Sequence, residues 1–228
     1  MRKVFTLFCL FSLSFLGAQE SGEDKWGAWY MYFGMNRVSD KLSVHSEAQF
    51  RYYETQGNFN QMLLRTGLNY HISQDAIATL GYAYILTDDT FSEFPDDIDS
   101  RENRIFQQFI LKNKVGEFLF EHRYRIEQRF FDFGDFTDTQ HRARYRLQVT
   151  LPLTDIFYLN AYDEVFLNLQ DEIFNQNRLY FALGVNITDN SSLQLGYLKN
   201  HFRGIDFDRL QVGLFFNPDF RKENNSAN

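Results

Sequence analysis

The chain has one cysteine and three prolines in 228 residues, and no run of about 20 apolar residues that could form a membrane helix. With a single thiol it cannot form an internal disulfide framework, and so few prolines argue against a linker or an extended Pro-rich segment. Base is also scarce: 23 Lys and Arg face 30 Asp and Glu, for a net charge of −7, which argues against a nucleic-acid partner. A P-loop, a His-Glu-x-x-His pair and a Rossmann glycine pattern are all missing from the sequence. What the chain has in quantity is aromatic residues, 26 Phe, 13 Tyr and 2 Trp, within a polar average.

Arg2 and Lys3 precede an apolar stretch over residues 4–15, and Leu16-Gly17-Ala18 supplies small residues before Gln19. This three-part order predicts a cleavable secretory signal peptide over residues 1–18, too short in its apolar part to serve as an anchor. Cys9 lies inside that apolar part, away from the cleavage point where a lipoprotein would need it. Removal of residues 1–18 takes away both basic residues and the lone cysteine. The expected exported chain is therefore more acidic and free of thiols. Residues 19–217 are then expected to form the folded body, and residues 218–228 a polar tail.

From Trp26 onward, apolar and polar residues alternate in windows of about ten. Leu42, Val44, Ala48, Phe50 and Tyr52 oppose Ser43, His45, Glu47, Gln49 and Arg51; Ala143, Tyr145, Leu147, Val149 and Leu151 oppose Arg142, Arg144, Arg146 and Gln148. Period-two alternation is the mark of a strand with one apolar face. Runs such as 42–53, 117–131 and 141–151 are longer than the five or six residues usual in a globular strand, and they match a tilted membrane strand of about 9–11. Short turns near 37–40, 73–75, 113–116, 152–155 and 188–191 alternate with longer polar loops near 54–60, 87–102, 132–140, 170–175 and 202–206. Short turns at one end and long loops at the other are the plan of a bacterial outer-membrane barrel.

The pattern therefore predicts an all-β, antiparallel transmembrane β-barrel in the outer membrane. Eleven runs are visible, of which the first and last both descend. An even count is the bacterial rule, so about twelve strands are expected, with ten as the alternative. Asp163 breaks the alternation, and a bulge at Asp163-Glu164 would turn it inward. Trp26 and Trp29 are expected in the interfacial aromatic belt.

His122-Arg123-Tyr124-Arg125-Ile126-Glu127-Gln128-Arg129-Phe130 resembles the strand signature of domain-of-unknown-function family 2490, a family of small outer-membrane barrels from Bacteroidetes-like bacteria. Glu47 to Arg51, Tyr162 to Phe166 and Asn177 to Tyr180 carry the same likeness. The resemblance implies a barrel over most of residues 26–217. It implies no activity.

Charge on the polar face is the feature that bears on function. Each guanidinium facing lipid near the midplane would cost about 2–4 kcal/mol, so Arg142, Arg144 and Arg146 must face the lumen. The same parity places Arg51, Arg65, Arg104, Arg123, Arg125, Arg129, Arg178 and Arg209 inside, with Glu47, Glu121, Glu127 and Glu164. Eleven arginines against four glutamates give either a cross-linked structural interior or a narrow pore or binding barrel for small anionic solutes. The segment 87–102 carries seven acids against one base, and is expected to settle at the mouth and screen this field. Outer-membrane lipid or lipopolysaccharide is the expected surrounding partner, with no cofactor and no metal. A membrane-embedded lipid-modifying enzyme using one of His45, His71, His122, His141 or His201 is the alternative, and a soluble β-sandwich a distant third.

Overall fold

In the computed structural model, residues 22, 25–91, 98–170 and 172–221 are described. The expected signal peptide lies outside them. Eleven strands follow one another: β1 Gly27–Arg37, β2 Leu42–Tyr52, β3 Phe59–His71, β4 Ala76–Thr87, β5 Ser100–Val115 and β6 Phe118–Asp132. They continue as β7 Thr137–Pro152, β8 Phe157–Asn168, β9 Phe174–Thr188, β10 Ser191–Phe202 and β11 Ile205–Phe216. Each pairs with its sequence neighbour, and β1 meets β11, so one sheet closes on itself. Among the described residues all strands belong to this one sheet, not to the two packed sheets of a sandwich.

The closure corrects the expected strand count. Strands β1 and β11 run the same way and pair in parallel, from Gly27 opposite Arg209 to Gly34 opposite Phe216, so the described barrel has eleven strands rather than twelve or ten. It is antiparallel everywhere except this seam. The evenness rule holds only when every neighbour is antiparallel, and one parallel ladder removes the requirement. Residues beyond the last strand reinforce the join: Arg37 N donates to Pro218 O at 2.9 Å and Phe220 N to Arg37 O at 2.8 Å. The first residues of the expected polar tail are thus tied to the end of β1.

The expected alternation of short turns and long loops holds from β1 to β6; beyond it the strands reach further into the polar segments, so the β6–β7 connection is no longer than β7–β8, and β10–β11 no longer than β9–β10. Residues 137–140 extend β7 and pair with the end of β6, and Ser100 to Glu102 begin β5. The expected loop at 202–206 shrinks to Arg203-Gly204, where Gly204 has φ 81°, a backbone that suits glycine. No bulge occurs at Asp163. It pairs in register with Leu147 and Leu179, points outward, and accepts from Asn177 Nδ2 at 3.1 Å through both carboxylate oxygens. The same row runs through Leu179 to Lys199 and Asp208, so outward charges recur on β8, β10 and β11.

The outer surface is apolar elsewhere. Leu64, Leu68, Leu80, Ile105, Ile126, Phe181, Leu183 and Leu195 are all exposed. A water-soluble fold would bury such side chains; here they form the outside of a closed wall. Inside, aromatic rings lie flat over glycines of the neighbouring strand. Phe106 is wholly buried, and a Cβ built on Gly81 would come within 2.2 Å of its ring. Gly81→Val should therefore displace Phe106 and cost about 1–3 kcal/mol. Urea titration of the folded, heat-modifiable species should read that loss, whereas an unchanged midpoint would show that Phe106 does not rest on Gly81.

Candidate functional site

All eleven arginines singled out from the sequence line one internal cavity of about 760 Å³. Glu47, Glu121 and Glu164 line it too, and Glu127 lies wholly buried in its wall. The parity argument missed a fifth carboxylate. Glu102, at the start of β5, is inward and 2% exposed. It sits inside an acidic run whose composition resembles a loop, and only its even spacing with Arg104 and Phe106 marks it as lumenal.

The carboxylates act as shared centres. Glu127 Oε2 accepts from Arg142 Nη2 at 2.6 Å and Nε at 2.9 Å, and its Oε1 accepts from Arg144 Nη1 at 2.7 Å. Arg104 and Arg125 approach the same Oε1 at 3.5 and 3.6 Å. Glu164 accepts from Arg123 at 2.7 Å and from Arg144 Nε at 3.0 Å. Glu102 holds Arg104 and Arg129, each through two nitrogens. Glu47 accepts from Arg65 at 2.6 and 2.7 Å, while Glu121 accepts from Arg146 at 2.5 Å.

Aromatic faces and amides hold the guanidiniums as well, without neutralising them. Phe166 has three guanidiniums over its ring, those of Arg144, Arg178 and Arg142 at 4.2, 4.7 and 5.1 Å. Trp29 has Arg51 at 3.9 Å and Arg178 at 4.9 Å. Such contacts contribute about 0.5–2 kcal/mol each without a counter-charge. The Gln108 amide oxygen accepts from Arg125 Nε at 3.0 Å and again from its Nη2. Trp29 is therefore not an interfacial residue; it is inward and 4% exposed, because β1 is apolar on both faces and strand parity alone sets its side. Trp26 does lie outside, beside Tyr197.

The described ends of the acidic segment lie at the mouth. Asp89 lines the cavity, and its N–H donates to Asp99 Oδ2 at 2.7 Å. Phe91 packs edge-on against Tyr53 at 5.9 Å, and Arg209 lies over that ring at 5.8 Å. Desolvation at this crowded rim, then repulsion from Asp99 and Asp88, raises the Asp89 carboxyl above the ordinary aspartate range, although part of its side chain reaches solvent. Desolvation likewise pushes the Tyr53 phenol up to about 12, so it stays neutral. Residues 92–97, including Asp96 and Asp97, lie outside the described residues.

The histidines are dispersed. His45 Nε2 lies 3.0 Å from Glu47, while His122 stacks outward on Tyr145 and His201 pairs outward with Asp206. Ser43 Oγ lies 2.8 Å from His71 Nε2, the nearest approach to a hydrolytic dyad. Yet Ser43 is wholly buried, and Asn69 Nδ2 donates to its hydroxyl at 3.0 Å. That network joins β2 to β3 and offers no nucleophile to a substrate.

The model of a family described as "Protein of unknown function (DUF2490)" matches residues 26–211. The chain belongs to this family. No curated protein matches the sequence. Among solved structures, one described as "NanC porin structure in rhombohedral crystal form" is similar, with a TM-score of 0.54 at 11% identity. The likeness covers 83% of this chain and 97% of that one, and at that identity it concerns the fold alone: this DUF2490 member is a porin-like β-barrel.

Removing the shared centre tests the lattice. Glu127→Gln leaves four neighbouring guanidiniums short of one buried counter-charge and should cost about 3–5 kcal/mol. Glu121→Gln, at a half-buried pair, should cost about 1 kcal/mol or less. Melting of the two variants in detergent should rank them in that order; equal losses would deny Glu127 its central place.

Proposed function

We propose that this protein is an outer-membrane, porin-like barrel whose lumen binds and passes small anionic solutes. The observation that carries the reading is the charge of the cavity wall: among the described residues, eleven guanidiniums and the Lys112 ammonium stand against six carboxylates, Asp89 included, around about 760 Å³. Among the described residues, six buried side-chain nitrogens there lack a hydrogen-bond acceptor, those of Trp29, Arg65, Arg123, Arg125, Arg146 and Gln211, and every one is a donor. A wall with unmet donors and surplus positive charge favours a solute that brings oxygen acceptors and negative charge. The apolar outer face, set in outer-membrane lipid, and the signal peptide expected at residues 1–18 support the location.

Reconstituted in a planar bilayer under a KCl gradient, the barrel should give a reversal potential of anion-selective sign. Selectivity should weaken at high salt as the lumenal field is screened. Closed membranes, or cation selectivity, would overturn the passage and leave the arginines a bracing role.

The rim carboxylate gives a pH dependence. Because the Asp89 carboxyl is raised, it takes up its proton before an ordinary aspartate as pH falls. The mouth then loses negative charge, so anion selectivity should rise toward acid pH. Asp89→Asn should show the higher selectivity at neutral pH and a flattened response. If the profile is the same in the variant, Asp89 does not control the mouth.

A further inference from the structure

Charge is unevenly spread around the lumen wall. From β5 to β8, seven arginines share Glu102, Glu121, Glu127 and Glu164, and each has a carboxylate within 3.6 Å. Arg65 of β3 has Glu47. From β9 through the parallel seam to β2 the pattern changes. Among the described residues, Arg51, Arg178 and Arg209 have no carboxylate within the 4.0 Å of an ion pair.

Arg51 and Arg178 are held by neutral groups. Arg51 donates to Gln49 Oε1 at 2.6 and 3.0 Å and to Gln61 Oε1 at 2.6 Å. Arg178 donates to Asn200 Oδ1 at 3.3 Å, and the Gln176 amide, with its oxygen turned to the guanidinium, accepts at 2.9 and 3.1 Å. Both charge centres lie within 4.9 Å of the centre of the Trp29 ring. Amides orient a guanidinium without neutralising it, and the ring screens two like charges only in part.

Two further donors stand at the same place. Trp29 and Gln211 are opposite each other across the seam, both nearly fully buried, and Trp29 Nε1 and Gln211 Nε2 lack an acceptor. Two guanidiniums without a direct ion pair and two unmet N–H groups on one stretch of wall are the complement of an oxyanion with several acceptor lone pairs. We propose that Arg51, Arg178, Trp29 and Gln211 form an oxyanion-binding subsite on the seam wall, taking one carboxylate or phosphate group of a small solute. The subsite refines the anion reading of the lumen and rests on it, but it is an equilibrium binding site and is testable without passage.

The chain has two tryptophans, so Trp26→Phe leaves Trp29 as sole reporter. The full chain carrying this change, folded in detergent, is titrated with sodium acetate and with sodium phosphate against sodium chloride of matched ionic strength. A saturable change in Trp29 fluorescence with acetate or phosphate, and none with chloride, is the expected result. Saturation by acetate alone assigns a carboxylate, and saturation by phosphate alone a phosphate group. Arg178→Gln and Arg51→Gln should each weaken the affinity by about tenfold, or about 1.4 kcal/mol. Arg178→Lys should recover part of it. The double change Glu172→Gln with Arg203→Gln, which removes an exposed ion pair outside the cavity lining, should leave it within about twofold. A heat-modifiable parent barrel that responds to acetate and phosphate only as it does to chloride overturns the subsite, whatever the variants do. So does an Arg178→Gln barrel that retains the parent affinity. A barrel that conducts anions without this titration loses the subsite and keeps the passage; one that titrates without conducting does the reverse.

Discussion

The structure depends on keeping eleven guanidiniums inside a narrow ring of strands. Arginine does not lose its proton, so the wall must supply compensation in place. It does so in three ways. Carboxylates are shared, with Glu127 serving Arg142 and Arg144 directly and standing close to Arg104 and Arg125. Aromatic rings separate like charges, as Phe166 does for Arg142, Arg144 and Arg178. Amides such as Gln49 and Gln108 supply acceptors without charge. Because bonds of these kinds join β2 to β3, β5 to β6, β6 to β7 and β7 to β8, the lumen braces a wall whose exterior is apolar.

Closure of the barrel is the second constraint. A parallel seam between β1 and β11 joins a first strand that is apolar on both faces to a last strand carrying Arg209 and Gln211 inward. No carboxylate comes from β1, β9, β10 or β11 on the lumen side, so the compensation of the opposite wall is missing here. The imbalance of the whole cavity thus has a location. It lies where Trp29 is flanked by Arg51 and Arg178.

Much of the architecture is legible in the sequence. Alternation over 42–52 or 142–151 fixes which side chains share a face, and the cost of a charge in lipid decides which face is inside. Those two facts suffice to direct every one of the eleven arginines to the lumen. They do not reach Glu102, because its strand begins within an acidic run, nor Trp29, because both faces of β1 are apolar. They also suggest a bulge at Asp163 where an outward partner, Asn177, was the solution.

The sequence by itself determined the strand class, the parity of the strands with one charged face and the sign of the lumenal charge, since all three follow from local spacing and the cost of desolvation. Tertiary structure decided how the ends meet and which charges find partners. Closure by a parallel ladder is invisible to strand-by-strand reading, because β1 and β11 are separated by the whole chain. Pairing is equally non-local: Glu164 reaches Arg123 across 41 residues, while Arg51 and Arg178 reach Trp29 and no carboxylate. Counting residues gives the excess of positive charge, but only the folded ring places it on one wall.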